Sequence, residues 1–276
     1  MTGPTRQTLE GGRWFLQHGP INCIVLAEGE PAAVAAAHEA AWQRFATVLT
    51  ELVSELPLLK QDLHAHGAPP VQGRIAQAMV AACLPHAASA FITPMAAVAG
   101  AVADALLRHL AAPGITRAYV NNGGDIALHL SEGMQWDIGL IAGLQATPSG
   151  RFSVRFEDAV RGVATSGWRG RSFSFGIADA VTVLAATAAQ ADAAATLVAN
   201  AVDVGDARIQ RRPACELKDD SDLGQRRVTT AVPVLATSQV KAALAAGVQG
   251  AQAMQQRGLL KVAALSLQGM VRVVEW

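Results

Sequence analysis

Aromatic side chains are scarce in this chain: they make up 5% of its 276 residues, with a single tyrosine. Stacked rings therefore cannot fill its interior, and alanine-rich helices packed closely on sheets are expected instead. Cysteine is nearly missing as well. Cys23, Cys83 and Cys215 stand far apart and odd in number, with no Cys-x-x-Cys among them. That excludes a disulfide framework and points to a reducing, cytoplasmic setting. Net charge is absent too, with 22 basic against 22 acidic residues. Neither nucleic acid nor an anionic membrane surface is an expected partner. The longest uncharged run, Ala87 to Ala103, is mostly alanine and is interrupted by Thr93-Pro94, too weak for a membrane span. The stretch from Met1 to Gly12 has no apolar segment of the secretory kind.

What is present is apolar: 51% of the residues are hydrophobic, enough for one large domain or two intimate ones. Ile21 to Leu26 reads as a strand, and Pro31 suits the first turn of a helix. In that helix Trp42, Phe45, Leu49, Leu52 and Leu56 recur at three- and four-residue spacing, with Pro57 as its stop. A further helix is expected around Ile75 to Cys83 and another from Ala96 to Leu110. Arg117 to Asn121, Trp136 to Leu140, Phe152 to Phe156 and Val181 to Leu184 read as strands. Alanine-rich helix follows from about Ala188 to Val202, and a last helix runs from Gln239 to Gln256, stopped by Gly258. Two short strands then end near Trp276. A strand followed by an alanine-rich helix recurs at 91–110 and 181–202, which hints at internal duplication. Half of the residues from Asp206 to Arg227 are charged, as in a solvated loop or a mobile flap.

Three polar stretches interrupt the apolar pattern. Asn121-Asn122-Gly123-Gly124-Asp125 reads either as a tight hairpin or as a loop whose glycine amides face a polar ligand. Thr165, Ser166 and Gly167, followed by Arg169 and Arg171, would form a small polar wall with guanidiniums suited to phosphate. Asp192 and Thr196 sit four apart on a helix and so share a face. One carboxylate and one hydroxyl suit a hard cation such as Mg²⁺, although the pair is also a common coincidence. The seven histidines show no zinc spacing, and His64-Ala65-His66 would place both rings on one side of a strand. Walker and Gly-x-Gly-x-x-Gly loops are missing, as is the Gly-x-Ser-x-Gly elbow of hydrolases.

Taken in order, these stretches resemble the ApbE-like superfamily, whose founding members are flavin transferases. The matching positions are Ala97 to Gly100 with Asp104, Asn122 to Asp125, Ala164 to Gly167, and Asp192 to Thr196. A shorter bacterial and archaeal branch is more similar still. Its His-Gly-Pro is seen at His18 to Pro20, its Ser-x-Gly-x-Ala-Asp-Ala-Val at Ser174 to Val181, and its late acidic segment at Pro213 to Leu217 and Ser221 to Gly224. The resemblance implies an α+β fold, a single domain over residues 1–276 with two intertwined, duplicated sheets under alanine-rich helices, and a homodimer.

For function, the resemblance implies a nucleotide-like small-molecule ligand, FAD or FMN, with Mg²⁺ on Asp192 and Thr196. Thr93, Met95, Asn122, Gly123, Gly124, Asp125, Thr165, Ser166, Gly167, Arg169 and Arg171 would then line the cofactor site. The transferases carry a His-Ile-Ile-Asp-Pro run where this chain has Ser174 to Asp179, and a lysine where it has Ala99. A hydroxyl nucleophile needs a nearby base, so flavin transfer to a protein is in question, with Asp179 and Ser174 the remaining catalytic candidates. Three readings stay open: a Mg²⁺-dependent transferase or pyrophosphate-cleaving enzyme, a non-catalytic flavin-binding accessory module, and other chemistry drawing on Glu216 and Asp222.

Overall fold

The computed structural model describes residues 3–140 and 150–275. The chain's first two residues and Trp276 lie outside them. In chain order the elements are β1 (Thr5–Thr8), β2 (Trp14–His18), β3 (Ile21–Gly29), α1 (Pro31–Ser54), α2 (Leu56–Leu59), α3 (Leu63–His66), α4 (Arg74–Cys83) and α5 (Val98–Leu110). There follow β4 (Ile115–Asn122), β5 (Asp125–Leu130), β6 (Gln135–Leu140), β7 (Gly150–Arg155), β8 (Gly162–Ser166), β9 (Ala180–Ala185) and α6 (Ala188–Ala201). The last are β10 (Gln210–Pro213), α7 (Ala214–Leu217), β11 (Arg227–Ala231), α8 (Thr237–Gln256), β12 (Val262–Leu267) and β13 (Met270–Val274). Helices and antiparallel strands mix without a βαβ rhythm, which is the expected α+β class.

The described residues fall into two compact units, each drawn from separate stretches of chain. Among the described residues, the first takes 3–137, 153–164 and 185–192; the second takes 138–140, 150–152, 165–184 and 193–275.

In the first unit β1 to β5 form an antiparallel sheet, extended by β8, which pairs Val163 with Ile126 and Gly162 with Ala127. Helices α1 and α5 pack on this sheet, and α4 packs on α5. The stripe of α1 is buried as its spacing requires, through Ala37, Ala41, Phe45, Val48, Leu49 and Leu52. Pro57, however, does not end α1. The helix closes at Ser54, and Pro57 stands in the first turn of α2, where a missing N–H costs nothing. Residues 91–93 form no strand either. A 3₁₀ turn over Pro94–Ala97 leads into α5, so the strand–helix recurrence is lost at 91–110. His64 and His66 lie on the helical turn α3 rather than a strand, with His64 Nδ1 2.6 Å from the Ala87 carbonyl.

In the second unit β9, β12 and β13 form an antiparallel ladder on which α8 packs. The charged segment 206–227 is not an open loop. It builds the two-stranded ladder of β10 and β11 with α7 between them, and its charges pair locally: Arg208 with Asp206, Arg212 with Glu216, Lys218 with Asp220.

Within the first unit, Gly100 brings the start of α5 against the start of α6. A Cβ on Gly100 would collide with the Ala188 carbonyl and come within 2.7 Å of the Ala189 nitrogen. Gly162 meets the Thr187 carbonyl in the same way. Because both obstacles are backbone, neither can rotate aside. Gly100→Ala is expected to lower the unfolding free energy by about 1–3 kcal/mol, the usual cost of overpacking. Urea titration checks this, with Gly11→Asn as the control, since Gly11 has open space around it and asparagine tolerates its left-handed backbone of φ 69° and ψ 28°.

Candidate functional site

The hairpin between β4 and β5 is a two-residue turn: Asn122 pairs with Asp125, and Gly123 and Gly124 have φ of 69° and 113°. Successive positive φ values are what a strand-matched turn demands, and glycine supplies them without strain. Asn121 Oδ1 accepts from the Gly124 amide at 2.9 Å. Buried Asn122 donates from Nδ2 to the Ala99 carbonyl at 3.1 Å, which fixes the turn against the start of α5. The expected tight turn is thus real, and it delivers Asp125 to the same neighbourhood as Asp192.

Asp192 Oδ2 accepts from the Gly100 amide at 3.0 Å. Asp192 is half-buried, as is the hydrogen bond of its carboxyl to the Gly100 amide. Burial pushes that carboxyl well above the usual carboxylate range. The charge of Asp125 pushes it further, the amides of Gly100 and Ala99 pull it back, and Asp104 adds a smaller upward push. The negative charge of Asp192 also reaches the buried Cys83, whose thiol is raised first by burial and then by that charge.

A third carboxylate holds the frame. Asp104, on α5, accepts from the Ala188 amide at 3.1 Å and the Ala189 amide at 3.0 Å, both at the start of α6. Burial raises it, while those two amides and the charge of Arg108 oppose the rise. Asp104 thus adds a cap from 84 residues away to the local one, Thr187 Oγ1, which accepts from the Gln190 amide at 3.2 Å, and only the family spacing marks Asp104.

The other candidate residues fall in different places. Thr93 is buried and Met95 half-buried, at the 3₁₀ turn before α5. Thr196 lies four residues beyond Asp192 on α6, on the second unit's side of the division. In the second unit Thr165 Oγ1 lies 2.9 Å from Thr182 Oγ1, and Gly167 passes so close to the Asp179 carbonyl that a Cβ would sit 2.6 Å from it. Arg169 is committed to Asp179 at 2.8 Å and lies over the Trp168 ring. Arg171 is exposed and makes no hydrogen bond or ion pair among the described residues, and Ser166 is half-buried.

The two catalytic candidates are both occupied. Asp179 accepts from Arg169 and, through its other oxygen, from the Gln268 amide at 2.6 Å. Ser174 is 2% exposed; its Oγ donates to Asn200 Oδ1 at 3.1 Å and accepts from the Gly176 amide at 3.2 Å. Glu216, a candidate in the charged segment, is paired with Arg212. No group of three or more His, Cys, Asp or Glu side chains among the described residues is arranged to hold a metal ion. No helix among them is long and apolar enough to cross a membrane.

The raised Asp192 fixes a pH dependence. A carboxyl whose folded value lies above its unfolded one favours the folded state fully below the unfolded pKa, about 4, and that benefit is lost as pH rises through the folded value. Asp192→Asn keeps an acceptor for Gly100 without the charge. It is expected to be more stable than the parent at pH 8, with the two converging toward pH 4. Urea melts at both pH values check this, and a variant less stable at pH 8 would contradict the burial.

Comparison with known proteins bears out the family resemblance read from the motifs. A UPF0280 protein of Methanosarcina acetivorans is 34% identical over 185 residues, which cover 66% of this chain and 70% of that protein. One from Methanothrix thermoacetophila is 37% identical over 150 residues, 54% of this chain and 59% of the relative's own length. Among solved structures, the flavinyl transferase ApbE of Pseudomonas stutzeri in its apo form aligns over 98% of this chain and 93% of its own, at 11% identity and a TM-score of 0.47. The flavin transferase ApbE of Vibrio cholerae aligns at 12% identity and a TM-score of 0.37, over 98% of this chain and 96% of its own. The model of the family described as AbpE bacteria matches residues 6–273, and the chain belongs to that family.

Proposed function

We propose that this protein binds a flavin nucleotide, FAD or FMN, or a similar phosphorylated small molecule, together with Mg²⁺. The observation that carries this is the half-buried Asp192 carboxyl, held on the Gly100 amide, with the charge of Asp125 beside it. Two carboxylates that oppose each other's ionisation are relieved by a divalent cation. A pair of protein carboxylates also suits a metal that keeps waters and binds substrate phosphate. Asp192 would hold the ion, with Asp125 beside it. The Thr196 hydroxyl is retained by its helical spacing alone. When bound, such an ion neutralises phosphate oxygens and stabilises charge as a P–O bond breaks. The ordered similarity of the Asn122–Asp125, Ala164–Gly167 and Asp192–Thr196 stretches to flavin transferases supports the choice of flavin.

The chain's own residues favour binding over transfer. Asp179 and Ser174, at the position of the transferases' histidine, are engaged by Arg169, Gln268 and Asn200 and offer no free base. A flavin-binding accessory module is therefore the second reading, with pyrophosphate cleavage the reaction it must be tested against. The homodimer and the cytoplasmic setting belong to the same proposal.

Freshly purified protein is expected to be yellow, or to bind added FAD with an affinity that rises on adding Mg²⁺. Asp192→Ala should weaken Mg²⁺-dependent binding by about tenfold or more, as loss of a charged ligand predicts. Mass spectrometry of the ligand after long incubation with Mg²⁺ separates the readings: intact FAD indicates a binding module, and FMN with AMP an enzyme. Binding untouched by Asp192→Ala would remove the assignment.

A further inference from the structure

Away from Asp192, the first unit carries a second charged feature. A cavity of about 330 Å³ lies among α1, α4 and α5, lined by Arg44, Glu51, Arg74, Arg108 and His109 over two small apolar contacts. Three guanidiniums and one carboxylate line it, and the Glu55 carboxylate lies close by on the Gln72 and Gly73 amides. Glu51 is already committed, accepting from Arg44 Nη2 at 2.6 Å. Arg74 and Arg108 make no hydrogen bond and no ion pair among the described residues, although the charge of Arg108 reaches Asp104. The cavity keeps a net positive charge.

Fold stability does not account for this arrangement. Arg108 and His109 close α5, where cations suit the helix dipole, but Arg74 opens α4, where a cation opposes it. The amides just before Arg74, those of Gln72 and Gly73, are satisfied by Glu55 at 2.6 and 2.7 Å, so Arg74 serves no capping role. Arg74 and Arg108 are exposed and make no ion pair among the described residues, so their charges stay available to an anion seated between them. Guanidinium forks match phosphate oxygens two at a time, and the cavity volume is at the small end of ligand sites.

We infer that this pocket binds a small diphosphate-type anion, with Arg74 and Arg108 as its principal ligands, at a site separate from Asp192. The anion is either free pyrophosphate or the diphosphate of a nucleotide, and Arg44 with Glu51 forms the far wall.

Calorimetric titration with pyrophosphate and with ADP, in metal-free buffer, tests this on the full chain, on Arg74→Gln, on Arg74→Gln/Arg108→Gln and on Asp192→Asn. The parent and Asp192→Asn should bind pyrophosphate saturably and alike. The single arginine variant should weaken binding by about tenfold and the double variant further. Tighter binding of ADP than of pyrophosphate assigns the nucleotide source, and the reverse assigns free pyrophosphate. The inference is overturned if no saturation is seen up to about 10 mM, a millimolar Kd being the weakest binding worth calling a site. It is equally overturned if Arg74→Gln binds like the parent, or if Asp192→Asn abolishes binding and so places the anion at the other site. Should the double variant melt early, Arg74→Gln alone decides, because its side chain is exposed and supports no other contact.

Discussion

Backbone meets backbone at Gly100, and the candidate site depends on that approach. With no Cβ in the way, the first turn of α5 reaches the start of α6 closely enough for two carboxylates to cross between them. Asp104 runs from α5 to the amides of Ala188 and Ala189, while Asp192 runs from α6 to the amide of Gly100. Each helix thus holds the other's unpaired backbone groups, which a helix end must satisfy somehow. The same tie draws Asp192 out of water and makes its charge costly.

That cost is what the proposed cation would relieve. A half-buried carboxyl with a second carboxyl at its side adds little to a stable apo fold and is well placed to hold a cation. The hairpin at Gly123 and Gly124 completes the pair by turning tightly enough to set Asp125 near it. In the second unit the polar residues are spent on one another. Thr165 meets Thr182, Arg169 meets Asp179, and Ser174 meets Asn200. Those bonds order the Thr165–Asp179 segment but leave little unspent chemistry in it, apart from the exposed Arg171.

Local patterns in the chain were readable where one periodicity dominated. The stripe of α1, the alanine-rich α6, the glycine-stopped α8 and the Asn122–Asp125 turn all follow from spacing and backbone preference. Strands β1, β2, β10 and β11 were missed because they are short, polar or charged, and are defined by their partners across the ladder rather than by their own alternation. The 91–93 segment looked like a strand because it is apolar and precedes a proline. It has no ladder partner, and Pro94 takes it into a 3₁₀ turn. The order of the family's stretches pointed to Asp192 and Asp125. It could not show that Asp104 caps α6, nor that Ser174 and Asp179 are tied down, since those partners lie 84, 26 and 89 residues distant.

The central claim concerns one carboxyl, and its titration is the most direct test. Carbon-13 NMR of protein labelled at the aspartate side-chain carbons, with Asp192→Asn used to assign the resonance, follows Asp192 as pH is varied without metal and then with saturating Mg²⁺. The account predicts a midpoint well above the ordinary carboxylate range in the metal-free protein, falling sharply when Mg²⁺ is added. An ordinary midpoint that Mg²⁺ leaves unmoved would contradict both the burial of Asp192 and its assignment as a cation ligand.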